Sequence, residues 1–371
     1  MKKNVNSLRT TLDCMRKSAR CPTHWTCAGA SVACLLLALA ATFNASASGN
    51  FSRTGSMNFA RLYHSATLLA NGQVIVVGGI YGLGAEQSAE LYNPANNKFT
   101  LAGNLNTGRW QHQAALLPDG RVLVAGGFDT NDNFSAAAEL FNPSTGTWTA
   151  TGSMSTGRVD FVLITLPNGL VLAAGGNGYN VTFSSAELYN PATGGWIPTG
   201  NLTAPFSLGN GVLLHNGQVL AGAHVYDSST GVWTTTTPPP KGWGFAGLLP
   251  NGLAWANGQE FYDPSTTQWT SFAPPSSGGG FAILSTEQVL AAGNVFYVNA
   301  RPYPTEETGK LAQLWNLSTL TWTSTGNLNV SRIHQTMTLL PNGQVLVAGG
   351  ESFDKSSNRL VPIASAEIYT P

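Results

Sequence analysis

Four arginines recur at one fixed distance from a glycine pair. Arg61, Arg109, Arg158 and Arg332 each stand 17 residues before the first glycine of a doublet, at Gly78, Gly126, Gly175 and Gly349. Guanidinium groups at equivalent places of a repeat have two uses. They line a cationic funnel for an anionic or sugar ligand, or each bonds backbone carbonyls and a neighbouring unit's carboxylate. Carboxylates recur as well, at Glu90, Glu139, Glu187 and Glu367. Buried carboxylates need donors, so these read as acceptors between units and not as acid–base pairs. His64 and His112 lie 14 residues before their glycine pairs, but His334 lies 15 before its own and is expected on the opposite face of its strand. His215 falls in a turn and His224 replaces a recurrent Glu. No H-x-H or H-E-x-x-H spacing occurs, so no metal ligand, cofactor or catalytic residue is assigned.

Chemistry is sought instead in stretches of varying length between each glycine pair and the next recurrent Glu. They supply Tyr81, Phe128, Asp129, Tyr179, Tyr297 and Tyr303. Rings beside carboxylates and amides suit a glycan or peptide, or else fold over the loops' own small cores. Asp129 and Asp132 lack the oxygen density of a calcium cage.

The elements that position these residues follow from the repeat. Aromatic anchors stand at Phe51, Phe99, Trp148, Trp196, Trp233, Trp269 and Trp322, with gaps of 48, 49, 48, 37, 36 and 53. The distance from the Glu position to the anchor stays at nine residues in six copies, from Glu90–Phe99 to Gln313–Trp322. Strands resist insertion because a one-residue slip turns every side chain over, whereas connections tolerate it. Each unit therefore reads as four strands, labelled a to d from hub to rim. Asn71-Gly72, Asp119-Gly120 and their equivalents make two-residue a–b hairpins, and b is a continuous apolar run such as Val74–Val77. The variable stretch is the b–c loop. It is two residues long in the fourth and fifth units, so the face should be walled by units one to three, six and seven. The last unit stops after Tyr369-Thr370-Pro371, where an outer strand is due, and Phe51 begins the chain's repeats as an orphan outer strand. The expectation is an all-β, seven-bladed propeller of four-stranded antiparallel blades, closed by residues near 51–54.

The motifs Leu116-Leu-Pro-Asp-Gly120, Val122-Leu-Val-Ala-Gly126-Gly127, Ala138-Glu-Leu-Phe-Asn-Pro143 and Trp148 resemble the kelch repeat, over everything after residue 50. Kelch rings host both enzymes and binding proteins. Galactose oxidase-like enzymes share this blade and bind copper with Tyr and His, including a Tyr cross-linked to Cys. All four cysteines here (Cys14, Cys21, Cys27, Cys34) precede residue 47, so the resemblance implies the scaffold without that cofactor.

Residues 1–47 read as a signal peptide. Six of the 18 basic residues precede an apolar run from Ala28 to Phe43 and an Ala45-Ser-Ala47 cleavage signal. The alternatives are an uncleaved anchor or lipidation at Cys34. The chain after residue 47 carries 12 basic and 17 acidic residues, net about −5, with no basic stripe for nucleic acid. The expected protein is a secreted, periplasmic or surface scaffold that binds a protein or glycan through the d–a and b–c connections, with no transmembrane segment once cleaved. The alternatives are a carbohydrate-active enzyme with its site at the channel mouth, or an envelope component with no discrete ligand.

Overall fold

The computed structural model describes residues 49–371 except 83, 208–209, 240–244, 257–258, 276–278, 286, 294–307, 355 and 358. Among the described residues, seven four-stranded antiparallel sheets form a propeller. Blades 1 to 6 run in chain order through 65–104, 113–151, 162–198, 212–235, 245–271 and 280–324, and blade 7 joins 336–370 to 50–53. Closure is as the sequence implied: Phe51 pairs with Tyr369 and Arg53 with Glu367, so residues 50–53 complete the last blade as its outer strand.

The continuous apolar strand b is explained by where its two faces go. Along Val74–Val77, Val74 and Val76 pack toward blade 7, while Ile75 and Val77 pack toward blade 2. Each blade is thus apolar on both sides, and seven apolar clusters fill the seven interfaces. Each fully buried Val contributes about 1.5–3 kcal/mol. The anchors of strand d stand opposite an aromatic of strand c, as in Trp148↔Phe141 and Trp196↔Tyr189, with ring centroids 5.1 Å apart in both. The anchor indoles also reach the preceding blade: Trp148 Nε1 donates to Ala102 O at 3.0 Å and Trp196 Nε1 to Gly152 O at 2.8 Å.

The glycine doublet is a crossing point. A Cβ at Gly126 (φ 70°) would stand 2.6 Å from the Phe161 ring and 2.7 Å from Arg158 O of the next repeat, and one at Gly127 (φ 88°) 2.6 Å from Trp110 O. Gly127 N–H donates to Arg158 O at 3.0 Å, and Gly79 and Gly350 make the same stitch to Arg109 O and Arg61 O, both at 2.9 Å. One turn differs from expectation. The a–b loops have three residues, not two: Leu69 N–H donates to Gln73 O at 2.8 Å and Gly72 N–H to Leu69 O at 2.9 Å, with positive φ at Gly72 alone. This is the type I turn with a left-handed glycine, and Asn71 Oδ1 caps it by accepting from Gln73 N–H at 3.0 Å.

Candidate functional site

The four arginines lie where the d–a connection meets the end of strand b. Each is at most 1% exposed. Arg61 Nη1 donates to Gly78 O (2.8 Å) and Ser88 O (2.9 Å), and Nη2 to Ser88 Oγ and Glu90 Oε1, both at 2.8 Å. The pairs Arg109–Glu139 (2.9 Å), Arg158–Glu187 (3.0 Å) and Arg332–Glu367 (2.8 Å) repeat it. Burial draws each guanidinium below its ordinary value, and the paired carboxylate opposes that. Each carboxylate also holds the arriving connection: Glu90 Oε2 accepts from Asn58 N–H at 2.7 Å and Asn58 Nδ2 at 2.8 Å. Of the two sequence-based readings, the one in which each Arg serves its repeat matches this geometry. The carboxylate belongs to the blade that the arginine enters, not to a neighbour, because the connection folds back over its own blade. The four guanidiniums are buried behind these bonds.

What the clamp does present is the residue two positions later. Tyr63, Gln111, Asp160 and His334 follow Arg61, Arg109, Arg158 and Arg332 at the same offset, and all four are left-handed, with φ of 54°, 51°, 51° and 55°. Non-glycine residues adopt this conformation at a cost, and they cluster at functional sites. Tyr63, Gln111 and Asp160 line a cavity of about 450 Å³ together with His64, His112 and Asn210. Gln111 N–H donates to Tyr63 O at 3.1 Å and joins adjacent repeats across it. Aromatic rings continue outward: Tyr63 stands 4.8 Å from His334 and 5.9 Å from Trp110, and Trp110 stacks on Phe128 at 4.4 Å. Burial, then the charges of Glu351 and Asp160, raise the Tyr63 phenol above its ordinary value, so it stays protonated at neutral pH. His334 Nδ1 lies 2.8 Å from Glu351 Oε1.

His64 and His112 are interface residues. His64 Nε2 meets Thr336 Oγ1 of blade 7 at 3.1 Å, and His112 Nε2 meets Ser65 Oγ of blade 1 at 2.8 Å. Burial and the charges of Arg61 and Arg109 hold both imidazoles down at about 3, so they are neutral at ordinary pH. The equivalent residue in blade 7 is Gln335, whose Nε2 donates to Ala292 O of blade 6 at 2.8 Å. His334 therefore sits one place before that register, in the connection and exposed, not on strand a.

Of the loop residues, Phe128 is a half-buried link between Trp110 and Phe134, at 4.4 and 4.8 Å. Asp129 spends its carboxylate on its own turn, accepting from Asn131 N–H at 2.7 Å and Asn133 N–H at 3.0 Å. Tyr81 and Tyr179 stand at hairpin tips of blades 1 and 3, 60% and 82% exposed. Tyr297 and Tyr303 lie outside the described residues, as do residues 1–47. Sequence reasoning passed over Trp110, Gln111, Asp160 and Glu351. For Gln111 and Asp160 the signal was available: the position two after a fixed Arg changes type in every copy, so it does not serve the repeat.

The family model for the kelch motif matches residues 110–155. That segment is blade 2 with the connection entering it, and the ring repeats it. The chain is a seven-bladed propeller, and its second blade carries a kelch motif. A search of curated protein sequences returns no match. Among solved structures, the propeller is similar to a novel fungal alcohol oxidase with catalytic diversity in the AA5 family, in complex with copper. The TM-score is 0.64 at 14% identity, covering 87% of this chain and 76% of that one, so the likeness is one of fold. Among the described residues no three of His, Cys, Asp and Glu come together as a donor set, and His64 and His112 are committed to neighbouring blades.

Proposed function

We propose that this kelch propeller is a binding scaffold. It engages a protein or glycan ligand through the face formed by the d–a and b–c connections of blades 7, 1, 2 and 3. One observation carries the reading: four left-handed residues of four different types project from a fixed Arg–Glu frame, and three of them, Tyr63, Gln111 and Asp160, line one cavity. Strain of this kind persists where the surroundings enforce it, and its use is to present side chains. Glycan-array and pull-down binding by the purified chain should fall at least tenfold in Tyr63→Ala and Trp110→Ala, since truncating a central aromatic anchor typically costs that much. Ser144→Ala, in the c–d turn of the opposite rim, should leave it unchanged. The reverse pattern would place the ligand on the other face.

The same strain and cavity favour a second reading, a carbohydrate-active enzyme at the channel mouth. Turnover of sugar substrates that disappears in Asp160→Asn would select it; binding without turnover selects the scaffold. Secretion belongs to the same proposal, with residues 1–47 as the leader. The exported chain should begin at Ser48, and an intact N-terminus on the mature protein would contradict this.

A further inference from the structure

We propose that the mouth of this propeller receives a protonated amine, and that Asp160 and the Tyr63–Trp110 ring pair hold it. This rests on the reading that ligands bind this face. Three independent features converge. The first is a cavity of about 450 Å³ whose lining groups, Tyr63, Gln111, Asp160 and Asn210, offer oxygen acceptors but no cation. The second is charge. Asp160 and Glu351 both act on the Tyr63 phenol, and Asp132 accepts from Trp110 Nε1 at 3.3 Å. The arginines beneath are each neutralised by a carboxylate 2.8–3.0 Å away. Glu351 is shared with His334, and among the described residues Asp160 is engaged only through Asn177 Nδ2 at 3.4 Å, which leaves Asp160 the carboxylate with capacity to spare. Arg359 pairs in register with Asp354 in the outer hairpin of blade 7.

The third feature is the aromatic ledge. Phe128, Trp110, Tyr63 and His334 form a continuous row with centroid spacings of 4.4, 5.9 and 4.8 Å. An ammonium over Trp or Tyr within about 6 Å is attracted by the ring quadrupole, most strongly where water is partly excluded. A neutral ligand would use the rings but gain nothing from the carboxylates. An anion would be repelled by them.

The amine has two sources, a free polyamine or a lysine side chain, and calorimetric titration of the purified chain separates them with spermidine and tetralysine as probes. Both are compared with their fully N-acetylated forms. The key variant is Asp160→Asn. Asn tolerates the left-handed backbone at this position at least as well as Asp, so the charge is removed without straining the connection. The expected result is that at least one amine binds ten times more tightly than its acetylated form, weakens about tenfold in Asp160→Asn, and weakens further as salt rises. Tighter binding of tetralysine identifies a lysine-bearing partner, and tighter binding of spermidine a small polyamine. Equal binding of free and acetylated probes, absence of binding by either amine, or indifference of amine binding to Asp160→Asn overturns the proposal. A neutral glycan that depends on Trp110 but not on Asp160 overturns the amine while sparing the binding face. If no ligand of any charge responds to Tyr63→Ala or Trp110→Ala, the face itself is wrong.

Discussion

Blades 7, 1, 2 and 3 and blades 4, 5 and 6 solve one packing problem in different ways. The first arc fastens each entering connection to its own blade with a buried Arg–Glu clamp, and its second glycines are stitched to the next repeat. In blade 4 Pro205 stands where the Arg would be, and His224 replaces the Glu, with Thr203 Oγ1 meeting His224 Nδ1 at 2.7 Å. Between blades 5 and 6 the interface is aromatic. Trp255 and Trp315 are fully buried, 4.3 Å apart and edge to face, with Phe272 4.9 Å from each. A clamp costs desolvation but fixes a backbone; an aromatic cluster gains area without fixing the connection. The left-handed presenting residues occur over the clamps, and this is why the candidate site lies on that arc.

The largest expected effect breaks a clamp. Arg109→Met leaves Glu139 buried without its counter-ion and should cost about 3–5 kcal/mol in denaturant unfolding. Adding Glu139→Leu should recover part of that, because the remaining loss is the acceptor for Asn106 N–H. In the other arc Trp255→Leu should cost about 3 kcal/mol through the cavity that it leaves, and no partner change should rescue it. Equal rescue in both arcs would erase the distinction.

Acid should act mainly through the clamped arc. His64 and His112 hold values of about 3 against an ordinary 6.5, so the unfolded chain binds more protons between these limits. Their contribution is fully present above pH 6.5 and is lost as pH falls toward 3. His64→Gln with His112→Gln, copying Gln335, should flatten that decline, and an unchanged slope would assign it elsewhere.

The smallest effect is a gain. The c–d turns of blades 2, 3 and 4 put Gly146, Gly194 and Gly231 at positive φ, where blades 5 and 6 put Thr267 (57°) and Leu320 (54°). Leu320→Gly should stabilise by about 1 kcal/mol, measured as a raised midpoint of unfolding.

The ring was legible in the sequence because packing between blades demands the same residues at every turn. Strand b must be apolar on both faces, Phe51 had no sheet but that of the C-terminus, and the nine-residue interval from Glu to anchor holds strands c and d together. The clamp was half legible. The interval between Arg61 and Gly78 showed that a unit existed, but not that the guanidinium turns inward to Ser88 and Glu90 of its own blade, which depends on how the connection folds back. The site was least legible. Tyr63, Gln111, Asp160 and His334 share a backbone conformation and not a residue type, and a repeat search discards what varies. Trp110 was hidden for another reason: it belongs to the connection and not to the loop where aromatics were sought.

Hydrogen exchange read along the chain with and without spermidine tests the central claim most directly. Protection should appear at 61–64, 109–113 and 158–161, the segments that carry the left-handed residues over the clamps, and not in blades 4 to 6. Protection confined to blades 4 to 6 or to the c–d turns would contradict it.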